Sequence, residues 1–256
     1  MQKIDFINKK LIYIFKSENF LSLDLYQNLK LSFKNFDRNK LKKGNNGKFS
    51  LDSKSEYYNH LLNLNSDMKK FHDIIFSKTF FNFFYRNLYF KYLFSQKDDF
   101  FRILKRIRLG KLDLDEEKNL FDFLFFKISI NISYSLIDDN GLILPHTDSL
   151  RKFLSLMLYF PDFDERDEDQ KSHLEEKKYG TTFWNSSLKN FNNEHILYEK
   201  KEEFIKKSEV FYTTPFEKNT LYGFIRNNNS WHSVEPKKVS KNYIRKSINI
   251  NFMYLN

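Results

Sequence analysis

"KISINISYSLI", residues 127–137, is where the chain changes character. Ile128, Ile130, Ile132 and Tyr134 alternate with Ser129, Asn131, Ser133 and Ser135. A period of two sends successive side chains to opposite faces of an extended strand, so one face is apolar and the other polar. Upstream the period is different. In "SEYYNHLLNLNSDMKKFHDIIF" (55–76) apolar residues return every three or four positions, as on amphipathic helices. The chain therefore reads as mainly helical to about residue 118 and as strands from about 127.

The later part keeps the strand pattern. "DDNG" (138–141) is turn chemistry. After it come "LILPHTD" (142–148), the apolar run "FLSLMLYF" (153–160), and the short strands "TTFW" (181–184), "NTLYGFI" (219–225) and "WHSVEP" (231–236). "YIRKSININFMYL" (243–255) closes with a second strict alternation. Arg245, Ser247, Asn249 and Asn251 lie on one face, and Lys246, Ile248, Ile250 and Phe252 on the other. The isoleucine face needs a hydrophobic cover, and the polar face must look into something polar. Short strands joined by irregular loops argue for a jelly roll or barrel. The expected fold class is α+β, with residues 1–118 a mainly helical region covering one sheet and residues 119–256 the barrel core. Three polar segments read as excursions. "DRNKLKKGNNGKFSLDSKS" (37–55) is expected to be a loop, and "PDFDERDEDQKSHLEEKKYG" (161–180) a mobile surface loop. "NNEHILYEKKEEFIKKSE" (192–209) is expected as an inserted helix or long excursion.

Composition narrows the class. The chain has 256 residues, 41% hydrophobic and 18% aromatic, enough to bury a substantial core. There is no alanine, and Lys, Asn, Ile and Phe are heavily used, a pattern that looks like AT-rich coding. That bias weakens the reading of the +10 net charge as a nucleic-acid footprint, and favours a solvated lysine-rich surface. The same holds for the basic helix carrying Arg102, Lys105, Arg106 and Arg108. The absence of cysteine excludes disulfides, zinc knuckles and thiol nucleophiles. The N-terminal twenty residues are interrupted by Lys9, Lys10 and Lys16 and do not read as a signal peptide. The most apolar stretch, residues 71–94, carries Asp73, Lys78, Arg86 and Lys91, too many charges for a membrane span. A cytoplasmic protein is expected.

The chemistry concentrates at strand ends. His146 and Asp148 are two positions apart and point to one side of an extended segment. His232 stands 84 residues beyond Asp148, also beside a strand, and Arg245 stands 13 residues beyond His232. Two imidazoles and one carboxylate form the facial triad that leaves open positions on non-haem Fe(II). A magnesium or calcium site would want more oxygen ligands. A guanidinium buried near such a metal needs a counter-charge. A dicarboxylate co-substrate, chelating the metal at one end, supplies it at the other.

"HTD", "WHSV" and "RKS", in this order and on strands, resemble the iron(II)/2-oxoglutarate-dependent oxygenases of prolyl-hydroxylase-like type. The resemblance spans roughly residues 127–252, and "YGTTFW" (179–184) is similar to the family's strand with a glycine ahead of an aromatic. It implies a double-stranded β-helix (jelly roll). It implies His146, Asp148 and His232 as iron ligands, and Arg245 with Ser247 gripping the distal carboxylate of 2-oxoglutarate. Dioxygen would be the second co-substrate, with succinate and CO2 released as an unidentified substrate is hydroxylated. Related halogenases replace the carboxylate ligand with a small residue, so Asp148 favours hydroxylation. The spacing from distal histidine to arginine is longer than in many members, which implies an extra bend over 237–243. The further 2-oxoglutarate contact from an early strand falls to Ser133, Tyr134 or Ser135, the serines being favoured if the polar face looks inward.

The other candidates have plainer readings. His60 and His72 fall in the helical half and belong to no ligand spacing. His173 and His195 sit in excursions and read as solvated. Trp184 and Trp231 read as core, and nothing in the spacing decides whether Thr182 and Asn185 face a pocket. A cupin-like metal enzyme without 2-oxoglutarate is the first alternative, but has no need of Arg245. A catalytically silent jelly-roll binding module is the second, but has no need of the ligands. Nucleic-acid demethylases resembling the AlkB type carry a second arginine on the final strand. None follows in "RKSININF", which speaks against a nucleic-acid substrate and leaves a small metabolite, a sugar or a protein side chain.

Overall fold

Strand β12 (Ile244–Tyr254) organises the protein, because its two faces belong to two different environments. The computed structural model describes residues 3–8, 11–44, 46–95, 128–139, 141–149, 151–163, 170–188, 196, 198–235, 239–240 and 242–254. The described chain is a mixed α/β structure with two antiparallel sheets. The larger has eight strands in the order β1 (Asp5–Asn8), β2 (Ile14–Ser17), β10 (Leu221–Ile225), β7 (Lys152–Tyr159), β12, β5 (Ile128–Asp138), β4 (Lys48–Asp52) and β3 (Lys42–Lys43). The smaller has four, β6 (Ile143–His146), β11 (His232–Val234), β8 (Thr182–Ser186) and β9 (Ser208–Thr213).

In β12 the period-two pattern has its physical outcome. Ile248, Ile250 and Phe252 are fully buried in a core shared with the helices α1 (Leu23–Ser32), α2 (Glu56–Leu64), α3 (Ser66–Ile75) and α4 (Lys78–Ser95). Aromatic contacts carry this layer. Tyr26 stacks on Phe160 at 4.9 Å, Phe33 lies 5.4 Å from Tyr134, and the Phe80 and Phe84 rings each lie 6.1 Å from Phe252. The opposite face of the sheet, with Ile137, Met157, Tyr159, Tyr222 and Phe224, belongs to a second core with residues of the smaller sheet such as Phe183 and Val234. That interior holds the polar side chains of β5 and β12. Their register is continuous over eleven pairs from Ile244↔Asp138 to Tyr254↔Ile128.

In the N-terminal region four strands, β1 to β4, occur where only helices and loops were expected. β2 is buried on both faces: Ile14 packs into the interior and Phe15 into the helix-side core. A strand buried on both sides shows no alternation, so period two could not reveal it. β4 does alternate, with Phe49 and Leu51 toward the helices and Lys48, Ser50 and Asp52 on the other face. Its signal is hidden among the turn residues of 44–47. Gly47, at φ +73, makes that turn and lies against Gly141. β2 pairs with β10 and β4 with β5, so the N-terminal segment shares the large sheet.

Part of the charged segment is helical where a loop was expected, and a helix lies in 192–209, where an inserted helix or excursion was expected. Residues 170–177 of the charged segment form helix α5 (Gln170–Lys177). Its Glu176 is buried, accepting the backbone N–H groups of Asp162 (2.6 Å) and Phe163 (3.0 Å) and the Tyr243 hydroxyl. Burial pushes its carboxyl above the ordinary value, against the pull of these three hydrogen bonds. Downstream, helix α6 (Lys201–Lys206) leads into β9, an unexpected strand. The basic segment with Arg102, Lys105, Arg106 and Arg108 lies outside the described residues. No helix among the described residues is long and apolar enough to cross a membrane.

Phe252 joins α4 to the sheet through four ring contacts, to Phe80, Phe81, Phe84 and Phe153. Truncating it leaves a cavity that the flanking strands cannot close. Phe252→Ala is expected to lower the unfolding free energy by about 3–5 kcal/mol, read by urea denaturation followed in the far-UV circular dichroism.

Candidate metal centre and anion pocket

β6 and β11 run antiparallel with His146 opposite His232, and the two imidazole centroids are 4.2 Å apart. The turn before β11 explains how His232 gets there. Asn229 N–H donates to the Asn227 side chain (2.9 Å) and Ser230 Oγ donates to the Asn227 carbonyl (2.7 Å), side-chain turn chemistry that delivers the chain to the strand. Each histidine is oriented by its own backbone. Nδ1 of His146 lies 2.9 Å from the Leu144 carbonyl, and Nδ1 of His232 lies 2.9 Å from the Ser230 carbonyl. A carbonyl only accepts, so Nδ1 carries the proton in each ring and Nε2 is the acceptor nitrogen.

Asp148 completes the group. Its Oδ1 is 3.9 Å from His146 Nε2, and the ligand atoms of His146, Asp148 and His232 all lie within 4.8 Å of one another. Oδ2 accepts from Ser155 Oγ at 2.7 Å, and that hydroxyl also lies 3.2 Å from the Asn251 side-chain amide. Oδ1 takes the Lys152 ammonium at 2.7 Å. The Asp148 main-chain carbonyl accepts from Nε of Arg226 at 3.0 Å, a guanidinium that is itself fully buried. Burial alone would raise the Asp148 carboxyl, but Lys152 and the two imidazoles outweigh it and hold it well below the usual carboxylate range. Two imidazole nitrogens and one carboxylate oxygen, without sulfur, are the donor set that suits a first-row metal such as Fe(II) with open coordination positions.

The sequence-predicted Arg245 lies on the interior face of β12 at 3% exposure. Its Nε donates to the Tyr179 carbonyl at 2.7 Å and Nη1 to Ser247 Oγ at 3.2 Å. The rings of Phe216, Tyr159 and Tyr179 surround the guanidinium at 5.0, 5.1 and 5.7 Å. Among the described residues no carboxylate pairs with it. Burial lowers its pKa from the ordinary value, and the surrounding tyrosines act in the opposite direction. Ser247 stands in register with Ser135 on β5, whose buried hydroxyl has no hydrogen-bond partner among the described residues. Ser133 lies half-buried on the same face. Tyr134, the other early-strand candidate, points into the helix-side core, where burial raises its hydroxyl pKa. The serines therefore face the interior and the tyrosine does not.

One cation here escaped the sequence reading. Lys48 of β4 and Arg245 of β12 both pair with Ile137 of β5, so the two side chains share one face. The Lys48 ammonium is lowered from its ordinary pKa, first by burial and then by the charges of Lys152 and Arg245, while Asp148 acts to raise it. The alternation of residues 48–52 was the available signal.

The remaining candidates are not at this site. His60 is exposed. His72 Nδ1 lies 3.1 Å from the Tyr58 hydroxyl, and its ring stacks on Phe76 at 4.3 Å. The side chain of His173 and all of His195 lie outside the described residues. Trp184 and Trp231 are buried with Phe204 in a small separate core. Thr182 hydrogen-bonds Thr213 at 3.2 Å, and Asn185 is exposed and donates to Glu209 at 2.7 Å.

No protein-family model and no curated protein sequence matches the chain. Solved structures similar to it include prolyl hydroxylases and a protein with 2-oxoglutarate bound. One is a prolyl-4-hydroxylase from Pseudomonas putida, at 12% identity over 95% of this chain and 93% of that one, with a TM-score of 0.43. Another is the viral collagen prolyl hydroxylase of Paramecium Bursaria Chlorella virus-1 in its 2-oxoglutarate complex, at 10% identity over 95% and 97%, with a TM-score of 0.41. A third is HygX from Streptomyces hygroscopicus with nickel, 2-oxoglutarate and hygromycin B bound, at 6% identity over 95% and 84%, with a TM-score of 0.45.

The wall of the arginine pocket depends on Gly180. A Cβ there would sit 1.7 Å from the Thr214 carbonyl oxygen, beside the Tyr179 carbonyl that receives Arg245. Gly180→Ala must push two backbone segments apart. It is expected to cost about 2 kcal/mol or more of unfolding free energy in urea, more than an ordinary surface substitution.

Proposed function

We propose that the chain is an iron(II)/2-oxoglutarate-dependent oxygenase on a double-stranded β-helix, acting as a hydroxylase. In this reading His146, Asp148 and His232 hold the metal through Nε2, a carboxylate oxygen and Nε2, and Arg245 with Ser247 holds the distal carboxylate of 2-oxoglutarate. The observation that carries it is the Arg245 guanidinium, 3% exposed and without a carboxylate partner among the described residues. A buried cation of this kind is costly unless an anion joins it. Its planar fork matches a carboxylate. A metal enzyme that used no dicarboxylate would have no need of it.

When bound, iron(II) would supply dioxygen activation coupled to decarboxylation of 2-oxoglutarate to succinate and CO2. The protein's own share is positioning and exclusion. The Leu144 and Ser230 carbonyls fix both imidazole tautomers. Ser155 holds Oδ2 of Asp148, which directs Oδ1 toward His146. The Tyr159, Tyr179 and Phe216 rings keep water from the arginine, so a carboxylate there meets a guanidinium of undiminished charge. The substrate is left to the surrounding loops, as a small metabolite, a sugar or a protein side chain.

Anaerobic titration with Fe(II) and then 2-oxoglutarate tests the reading. A weak visible charge-transfer band is expected in the parent and is lost or strongly weakened in Arg245→Ala. Metal binding with no band in the parent would replace the proposal with a cupin-like enzyme. Ser155→Ala is expected to weaken Fe(II) binding by about 10–100-fold, measured by competition with a chromophoric chelator, while the circular dichroism spectrum is kept.

A further inference from the structure

The β3–β4 hairpin brings a charge into the interior that neither the triad nor the arginine pocket accounts for. Lys48 is half-buried, and among the described residues its ammonium has neither a carboxylate nor a hydrogen-bond acceptor. It lies one strand beyond Ile137 from Arg245 and on the same face. The charges of Lys152 and Asp148 also act on it.

The hairpin that carries it is clipped to the segment leading into His146. Asp138 N–H donates to the Gly47 carbonyl at 3.1 Å, Leu142 N–H donates to the Asn46 carbonyl at 3.1 Å, and Arg38 pairs with Asp138 at 2.7 Å. Lys48 is therefore held in place by backbone pairing on both sides of the β5–β6 turn. A flexible surface lysine would spread its charge into water. This one faces two other cations and gains by any anion placed among them.

We propose that Lys48 is a binding residue for the anionic co-substrate itself, supplying a second cationic contact to 2-oxoglutarate from outside the strands that carry the triad and Arg245. The proposal rests on the 2-oxoglutarate reading above. A ligand held by Arg245 lies on the interior face that Lys48 shares. With Arg245 holding one carboxylate by its fork, the ammonium adds a second positive charge on the same interior face for the dianion. An ammonium is a point donor without fork geometry, so it adds charge where Arg245 adds orientation.

The test is calorimetric titration of the Fe(II)-loaded protein with 2-oxoglutarate under anaerobic conditions, for the parent, Lys48→Met, Lys48→Arg and Arg245→Ala. Pyruvate, a 2-oxo acid with one carboxylate, is titrated into the parent and Lys48→Met as a second probe. Loss of one charge-assisted contact is expected to raise the 2-oxoglutarate Kd by about tenfold or more in Lys48→Met, with recovery to within about threefold in Lys48→Arg. Fe(II) affinity and the circular dichroism spectrum stay unchanged. A parent-like Kd in Lys48→Met, alongside a large loss in Arg245→Ala, overturns the proposal and leaves the 2-oxoglutarate reading standing. Parent protein that binds Fe(II) without binding 2-oxoglutarate overturns both. The pyruvate arm locates the contact: a parallel loss puts Lys48 on the carboxylate beside the 2-oxo group, and a loss confined to 2-oxoglutarate puts it on the distal one.

Discussion

A guanidinium buried among three aromatic rings, with no acid among the described residues to neutralise it, is the constraint around which the rest of this interior is arranged. Desolvating a cation is expensive, and a fold bears the cost only where hydrogen bonds and ring faces offset part of it. Arg245 receives one carbonyl, one hydroxyl and three rings. The residues that supply them come from β7, β12 and the segments around 179 and 216. Holding that charge therefore requires the two sheets to be in place, which ties the arginine pocket to the global fold.

The same strand secures the opposite face. β12 can carry Arg245 inward only because Ile248, Ile250 and Phe252 are gripped by α4 and its neighbours on the other side. A slip of one residue in register would turn the isoleucines into the polar interior and the arginine into the aromatic layer. Eleven consecutive pairs with β5 and a long pairing with β7 make that slip costly. The stability of the helix-side core is thus what fixes the direction of the arginine.

How much of this was legible follows from what each residue depends on. The two alternating strands, 128–138 and 244–254, could be read directly, because one face of each is polar and the other apolar. The triad residues could be read because strand ends and residue type suffice to nominate them, and the structure brings His146, Asp148 and His232 together. β2 could not be read, since burial on both faces erases alternation. Lys48 was readable in principle, but its strand is short and follows a turn rich in glycine, asparagine and lysine. Ser155, Lys152 and Arg226 belong to a different class. Their contacts to Asp148 depend on how the chain bends between β6 and β7 and on where β10 ends, and local pattern carries no record of either. Glu176 is similar: in sequence it is one acid among many, and only tertiary contact selects it as the buried one.

That division bears on which parts of the fold the site depends on. The residues that nominate the site are set by strand alternation and sit at strand ends, so their placement does not depend on the identity of each residue that packs behind them. The chain contains no alanine and 30 phenylalanines, and the helix-side core carries many buried rings among its leucines and isoleucines. Ring packing tolerates irregular spacing, because edge and face contacts of similar energy are available at several angles. A core of this composition can shift its helices without moving the register of β12. The polar side of the sheet has no such freedom. Asn251 must meet Ser155, Ser155 must meet Asp148, and Ser247 must meet Arg245 at hydrogen-bond distance. The two faces therefore drift under different rules, and the loose one leaves the exacting one free to keep its geometry.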